Sequence, residues 1–128
     1  MNGGTFVRHD NARVTPHKAH NSNSNGSCGG GVYVSGNGTF TMNNNASVTG
    51  NKTANNNATL NGGGVYVNGG TFNMNDGAIS GNEATNNKPT NTTYGGGVYV
   101  SGGTFTMNGN ASIKSNTAKN GGGVYASA

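Results

Sequence analysis

Short apolar runs with strict two-residue alternation recur along this chain at a nearly constant interval. Gly-Gly-Gly-Val-Tyr begins at Gly29, Gly62, Gly95 and Gly121, with spacings of 33, 33 and 26 residues. Val34, Val67 and Val100 complete the first three of these runs, and a Gly-containing turn follows each. A Thr-Phe-x-Met-Asn run comes next, at 39–43, 71–75 and 104–108. After a second turn come Ala46-Ser47-Val48, Ala78-Ile79-Ser80 and Ala111-Ser112-Ile113. This period of two predicts half-buried strands. Val32 and Val34 oppose Tyr33, Phe40 and Met42 oppose Thr39 and Thr41, and Ala46 and Val48 oppose Ser47 and Thr49. The stretch from Gly3 to Val14 aligns without a gap onto Gly102 to Ile113, with poorer agreement.

Three strands per unit, each apolar on one side, cannot make a core alone. Stacking equivalent strands about 4.8 Å apart gives each of them two ladder partners and one shared interior. The expected fold is therefore all-β, a three-sided parallel β-helix of about four rungs. It forms a single domain over 1–128, with a partial rung at 1–28, rungs at 29–61, 62–94 and 95–120, and a partial rung at 121–128. Its interior should hold ladders of Val32/Val65/Val98/Val124, Phe6/Phe40/Phe72/Phe105 and Met42/Met74/Met107. Gly and Asn supply the φ > 0 conformations that sharp corners need. Asn51, Asn82 and Asn116 recur after the third strand, and stacked identical amides hydrogen-bond one another, so a structural Asn ladder is expected there. Unit length varies only at 15–28, 49–61, 80–94 and 114–120. These segments are expected to leave the coil at one corner as loops, either passive or ligand-binding.

The Gly-Gly-Gly-Val-Tyr and Asn-rich pattern resembles the repeats of bacterial surface adhesins and autotransporter passenger domains. It is most similar to the polymorphic outer-membrane-protein type, whose units carry a Gly-Gly-Ala-Ile-like signature and an Asn-containing one. The resemblance spans the whole chain and implies a right-handed, pectate-lyase-like β-helix located outside the cell or on its surface. Its motifs are structural, so they speak to the fold more than to the task. The sequence departs from the family in showing no signal, membrane barrel or distinct cap. Residues 1–6 open directly inside the repeat, so the expectation is either another secretion route or an excerpt of a longer protein.

Composition narrows the functions further. There are 25 Gly and 25 Asn, 8% charged residues and no Trp. Gly on this scale without a G-X-Y period is not collagen, and apolar residues at repeating places argue against disorder. The net charge is +4, with basic residues scattered apart from Arg8, Arg13 and Lys18. Nucleic-acid binding wants clustered basic residues with stacking aromatics, so it is not expected. Cys28 is the only cysteine, which leaves a buried small hydrophobe or an inter-chain link. No apolar stretch approaches the roughly 20 residues of a membrane span.

Catalysis is not expected either, and neither is a cofactor. Asp10, Asp76 and Glu83 are the only acidic residues, too few for a carboxylate pair or a Ca²⁺ cage. His9, Asp10, His17 and His20 are spaced too loosely to favour a metal site over ordinary surface histidines. Asn-x-Ser/Thr sequons at Asn25, Asn37, Asn45, Asn51, Asn57, Asn91 and Asn110 are candidate glycosylation acceptors in an exported chain.

What remains is a structural or adhesive role. Gly3, Gly4, Thr5, Phe6 and Arg8 form a second-type strand, while Gly123, Val124, Tyr125 and Ala126 form a first-type strand. The two are in phase, so copies of the chain are expected to stack head to tail into a filament. Arg8, at the inward position of Met42, Met74 and Met107, makes the first rung polar, as a cap would be. The alternative partner is a host-surface glycan or protein bound through the corner loops. A third reading is ice binding by outward Thr39/Thr71/Thr104 and Thr41/Thr106 columns, which Val7 and Asn73 interrupt.

Overall fold

The computed structural model of the chain describes residues 3–15, 17–20, 29–55 and 59–127, and none of these is helical. Each repeat begins with a Val-Tyr-Val segment: β4 (Val32–Ser35), the first part of β9 (Val65–Met74), the first part of β13 (Val98–Met107), and β15 (Val124–Ala126). The Thr-Phe segment follows, as β1 (Thr5–Arg8), β5 (Thr39–Met42) and the second parts of β9 and β13. The third segment is β2 (Arg13–Val14), β6 (Ser47–Thr49), β10 (Ala78–Ser80) and β14 (Ser112–Lys114).

All the pairings are parallel, and each joins a residue to its counterpart one repeat later. One sheet runs β1-β5-β9-β13-β15 with β4 also on β9, and a second runs β14-β10-β6-β2. Within them Phe6, Phe40, Phe72 and Phe105 stand in register, as do Val32, Val65, Val98 and Val124, and Val14, Val48, Ile79 and Ile113. The inward side chains fuse into one core. Val34, Phe40, Met42, Val48, Val65, Val67, Phe72, Met74, Ile79 and Val98 are fully buried. Each such side chain contributes about 1.5–3 kcal/mol relative to exposure. The Phe rings stack at 5.5, 4.8 and 4.9 Å between centroids. Burial falls off in the outermost layers, where Val7, Met107 and Val124 are 42%, 43% and 39% exposed.

In the last two full repeats the first two segments run on as one ten-residue strand. Gly69, Gly70 and Gly103, at φ +81°, +79° and +84°, bend these strands between their two parts. The first full repeat has one more residue there, and its Gly36-Asn37 turn separates β4 from β5. Unit length thus varies at this turn too, and not only in the four segments expected.

The segments expected to be loops contain strands. Residues 15–28 hold β3 (Lys18–His20), residues 49–61 hold β7 (Lys52–Asn55) and β8 (Leu60–Asn61), and residues 80–94 hold β11 (Glu83–Asn86) and β12 (Thr93–Tyr94). They form two further parallel sheets, β11-β7-β3 and β12-β8. The shorter 114–120 segment joins them through bridges Glu83↔Thr117 and Tyr94↔Asn120. Three strand segments per repeat is therefore an undercount. β7, β8, β11 and β12 each turn one small or apolar side chain inward, Thr53 and Ala84 in one sheet and Leu60 and Thr93 in the other, all at most 1% exposed.

Candidate self-association interface

The close approach of successive repeats depends on the glycine triplets. A Cβ on Gly63 would meet the Gly96 carbonyl oxygen at 2.4 Å and the Glu83 backbone at 2.6 Å. With no side chain there, Gly63 N–H donates to the Gly95 carbonyl and Gly64 N–H to that of Gly96. The same contacts recur at Gly30 and Gly96, which brings each Val-Tyr-Val strand onto the next.

Among the described residues, the first and last layers hold complementary sets of strands. The first layer contains β1, β2 and β3, while among the described strands β4 pairs only with β9. Around Val32 this leaves a recess of about 290 Å³ lined by Phe6, Val14, Gly31, Val32 and Tyr33. At the opposite end, β15 extends the Val-Tyr-Val column by one strand, pairing with β13 alone. Its Ser127 N–H donates to the Val100 carbonyl at 2.9 Å. One end thus presents an apolar recess beside β4, and the other a half-exposed Val124 on a strand of the same column. Gly3 and Gly4 bond across to the next repeat, Gly3 N–H to the Ser35 carbonyl and Thr39 N–H to the Gly4 carbonyl.

Arg8 lies in register with Met42, inside the first layer. Its guanidinium carbon is 5.3 Å from the centroid of the Phe6 ring, and its Nη2 donates to the Arg13 carbonyl. Its Nε is buried with no partner among the described residues. Both outer layers are basic, with Arg8 and Arg13 in one and Lys114 and Lys119 in the other. The Lys52–Glu83 ion pair at 3.0 Å lies in the middle layers and is more than a third exposed on both sides, so it contributes less than about 1 kcal/mol.

Asn51, Asn82 and Asn116 stand in one column. Asn51 Nδ2 donates to Asn82 Oδ1 and Asn82 Nδ2 to Asn116 Oδ1, each at 3.0 Å. The backbone N–H groups of Asn51 and Asn82 reach the same oxygens at 2.9 Å. The amides also donate to the carbonyls of Val14, Val48 and Ile79. At the lower end the backbone N–H of His17 donates to Asn51 Oδ1 at 3.0 Å.

Two outward columns escaped the sequence pattern. Asn75 Nδ2 donates to Asn43 Oδ1 and Asn108 Nδ2 to Asn75 Oδ1, and this column ends at His9 Nδ1, 3.4 Å from Asn43 Nδ2. Tyr33, Tyr66, Tyr99 and Tyr125 follow one another with centroids 5.1, 5.0 and 5.7 Å apart, and Tyr94 lies 4.6 Å from Tyr125. Their hydroxyls reach one repeat upward, Tyr66 to Ser101 and Tyr99 to Ser127, while Asn68 Nδ2 donates to Tyr33. The signal was present as the recurrence of Tyr and Asn once per repeat. Alternation alone assigns such positions to solvent and says nothing of contacts along the column.

The remaining candidates are distributed as follows. Asn37, Asn45 and Asn110 are exposed and Asn91 is half-buried, whereas Asn25, Asn57 and Cys28 lie outside the described residues. Asn51 must be withdrawn as a glycan acceptor in the folded chain: it is 0% exposed and its amide is committed to two hydrogen bonds. Among the described residues no group of three or more His, Cys, Asp or Glu stands close enough to hold a metal ion. The side chain of His20 lies outside that description. A recess of about 550 Å³ lined by Asn44, Asn45, Asp76, Gly77, Ala78 and Asn110 holds one carboxylate. Thr5, Thr39, Thr71 and Thr104 form one register column, and Val7, Thr41, Asn73 and Thr106 the next. Among the described residues no helix is long and apolar enough to cross a membrane.

No family model, curated protein or solved structure matches this chain.

Proposed function

We propose that this chain is a right-handed parallel β-solenoid whose copies stack end to end into an extracellular structural or adhesive fibre. The observation that carries the reading is the fit between β15 and the recess beside β4. Val124 of one copy, set beneath Val32 of the next, meets Phe6 and Val14 of that next copy. Inside the chain Val98 lies in the buried cluster against which the partly buried Phe105 and Ile113 pack, so the junction repeats a packing arrangement already used. Tyr125 then lies under Tyr33, and the exposed β13 edge from Thr104 to Met107 lies under β1. The contact is heterologous and does not close on itself, which makes a filament. The right hand follows from the strong preference of parallel crossover connections in one sheet. Placement at the cell surface rests on the resemblance of the repeats to bacterial surface adhesins.

Negative-stain electron microscopy of the purified chain tests the reading. The expected image is a thin fibre with an axial repeat of four strand spacings, about 19 Å. Monodisperse monomers at high protein concentration would sink it. The alternative, a receptor or glycan bound by free corner loops, has less support. About half of the described part of those segments is paired strand, and the exposed run 87–90 is short.

A further inference from the structure

The inner Asn column has a direction, and His17 stands at one end of it. In each layer the backbone N–H and the side-chain Nδ2 point toward the Oδ1 of the layer above. At the top, the Asn116 backbone N–H and its second amide hydrogen have no acceptor among the described residues. At the bottom, the position three residues after Val14 is His17, where the later repeats place Asn51 after Val48 and Asn82 after Ile79. The His17 backbone already behaves as a member of the column, through its N–H to Asn51 Oδ1 and its carbonyl to Lys52 N–H at 2.8 Å. Its side chain is exposed.

We propose that His17 of one copy is the docking acceptor for Asn116 of a second copy, so that the amide column crosses the junction only while the imidazole is neutral. The proposal rests on the end-to-end stacking put forward above. Histidine Nδ1 is as many bonds from Cα as asparagine Oδ1, so it offers at the same reach an acceptor for one of the two Asn116 donors. A neutral imidazole with its hydrogen on Nε2 accepts at Nδ1, whereas an imidazolium has N–H on both nitrogens. The charged form therefore turns a donor against the two donors of Asn116. A proton on the imidazole opens this contact.

The surrounding charges act in the same direction. Arg13 and Lys18 are near His17 in sequence, the Lys52 N–H donates to the His17 carbonyl, and Glu83 is engaged by Lys52 at 3.0 Å. Asp10, in the same layer, accepts from Asn44 Nδ2 at 2.9 Å. The second copy brings Lys114 and Lys119. A proton on His17 thus adds to an already basic junction.

The critical concentration for assembly, measured by sedimentation of the full chain at pH 8 and pH 5, tests this. Removing the acceptor from buried donors should raise it about tenfold or more at pH 5. His17→Asn should assemble equally at both pH values, and His9→Asn should keep the wild-type response. Asn116→Asp should invert the response, because a carboxylate accepts from the imidazolium. Circular dichroism on the same samples shows that each variant keeps its β signal, and His17→Asn changes only an exposed side chain. A wild-type critical concentration equal at both pH values overturns the proposal, as does a His17→Asn chain that still responds to pH. Absence of any wild-type assembly at pH 8 overturns the stacking itself.

Discussion

Asn82 Oδ1 accepts two hydrogen bonds from Asn51, one from the backbone N–H at 2.9 Å and one from Nδ2 at 3.0 Å. One oxygen thereby satisfies two donors of a residue that is 0% exposed. Asn82→Ala leaves both without an acceptor and also strips the Val48 carbonyl of its Asn82 Nδ2 donor. At about 1–3 kcal/mol for each buried unsatisfied group, the expected loss is at least about 3 kcal/mol. Asn116→Ala strands the corresponding donors of Asn82, itself 1% exposed, but the truncated side chain is half-exposed, so water reaches the vacated position. Urea unfolding of the two variants should rank Asn82→Ala well below Asn116→Ala. Equal losses would count against burial as the source of the ladder's strength.

The phenylalanine column makes a similar contrast for apolar packing. Phe72 is fully buried between Phe40 and Phe105, with centroids at 4.8 and 4.9 Å. Phe72→Ala should cost about 3–5 kcal/mol, since the stacked layers cannot collapse onto the gap. Phe6 is half-buried and has Phe40 as its ring neighbour at 5.5 Å. Phe6→Ala should cost clearly less in the isolated chain. Thermal melts at low protein concentration check the order.

The core of this arrangement was legible because alternation and period coincide. Val32, Phe40, Val48 and their counterparts name both the inward face and the register, since a one-residue slip would turn each of them outward. The strands β7, β8, β11 and β12 were not legible. Lys-Thr-Ala-Asn and Glu-Ala-Thr-Asn turn a single small residue inward, Thr53 or Ala84, and show no apolar alternation. Their strand state comes from parallel pairing on the neighbouring repeat, which overrides weak local preference. The recess beside Val32 was illegible for another reason. It depends on which strand lies next to which residue two sheets away, and a linear pattern does not carry that. Tyr66 shows the same limit: alternation assigns it outward, yet stacking between Tyr33 and Tyr99 leaves it 8% exposed.

Two glycines separate space from backbone conformation. Gly63 has an ordinary φ, but an added Cβ would lie 2.4 Å from the Gly96 carbonyl oxygen of the next repeat and 2.6–2.7 Å from two backbone atoms of Glu83. Backbone cannot move aside as a side-chain tip can, so Gly63→Ala should reach or exceed the upper end of the usual overpacking cost, about 3 kcal/mol. Gly81 is the reverse case, with φ +63° and Gly50 N at 3.9 Å as its nearest neighbour. Gly81→Ala should cost only the left-handed strain, about 1–2 kcal/mol. Denaturant midpoints for the pair should differ accordingly, and a Gly81→Ala chain as unstable as Gly63→Ala would contradict the close-approach account.

Arg8 is where the first layer departs from the repeat, and its replacement separates a cap from a junction. The side chain stands in register with Met42, with its guanidinium over Phe6, its Nη2 on the Arg13 carbonyl and its Nε buried without a partner among the described residues. Within one copy these contacts are worth little, since an exposed cation–π pair contributes about 0.5–1 kcal/mol. In a stacked fibre the same guanidinium would face Met107 of the copy below and lose its remaining water. Arg8→Met restores the column of Met42, Met74 and Met107 across the junction and removes one positive charge from a basic contact. It should not lower the melting temperature of the isolated chain, where Nε is already buried without a partner among the described residues, and it should lower the critical concentration about tenfold, because the charged guanidinium no longer has to lose its remaining water at the junction. The substitution is read out by sedimentation at fixed pH 8. A rise in critical concentration would instead make Arg8 an anchor that reaches into the neighbouring copy, and its partner there would be a carbonyl on the exposed edge of β13.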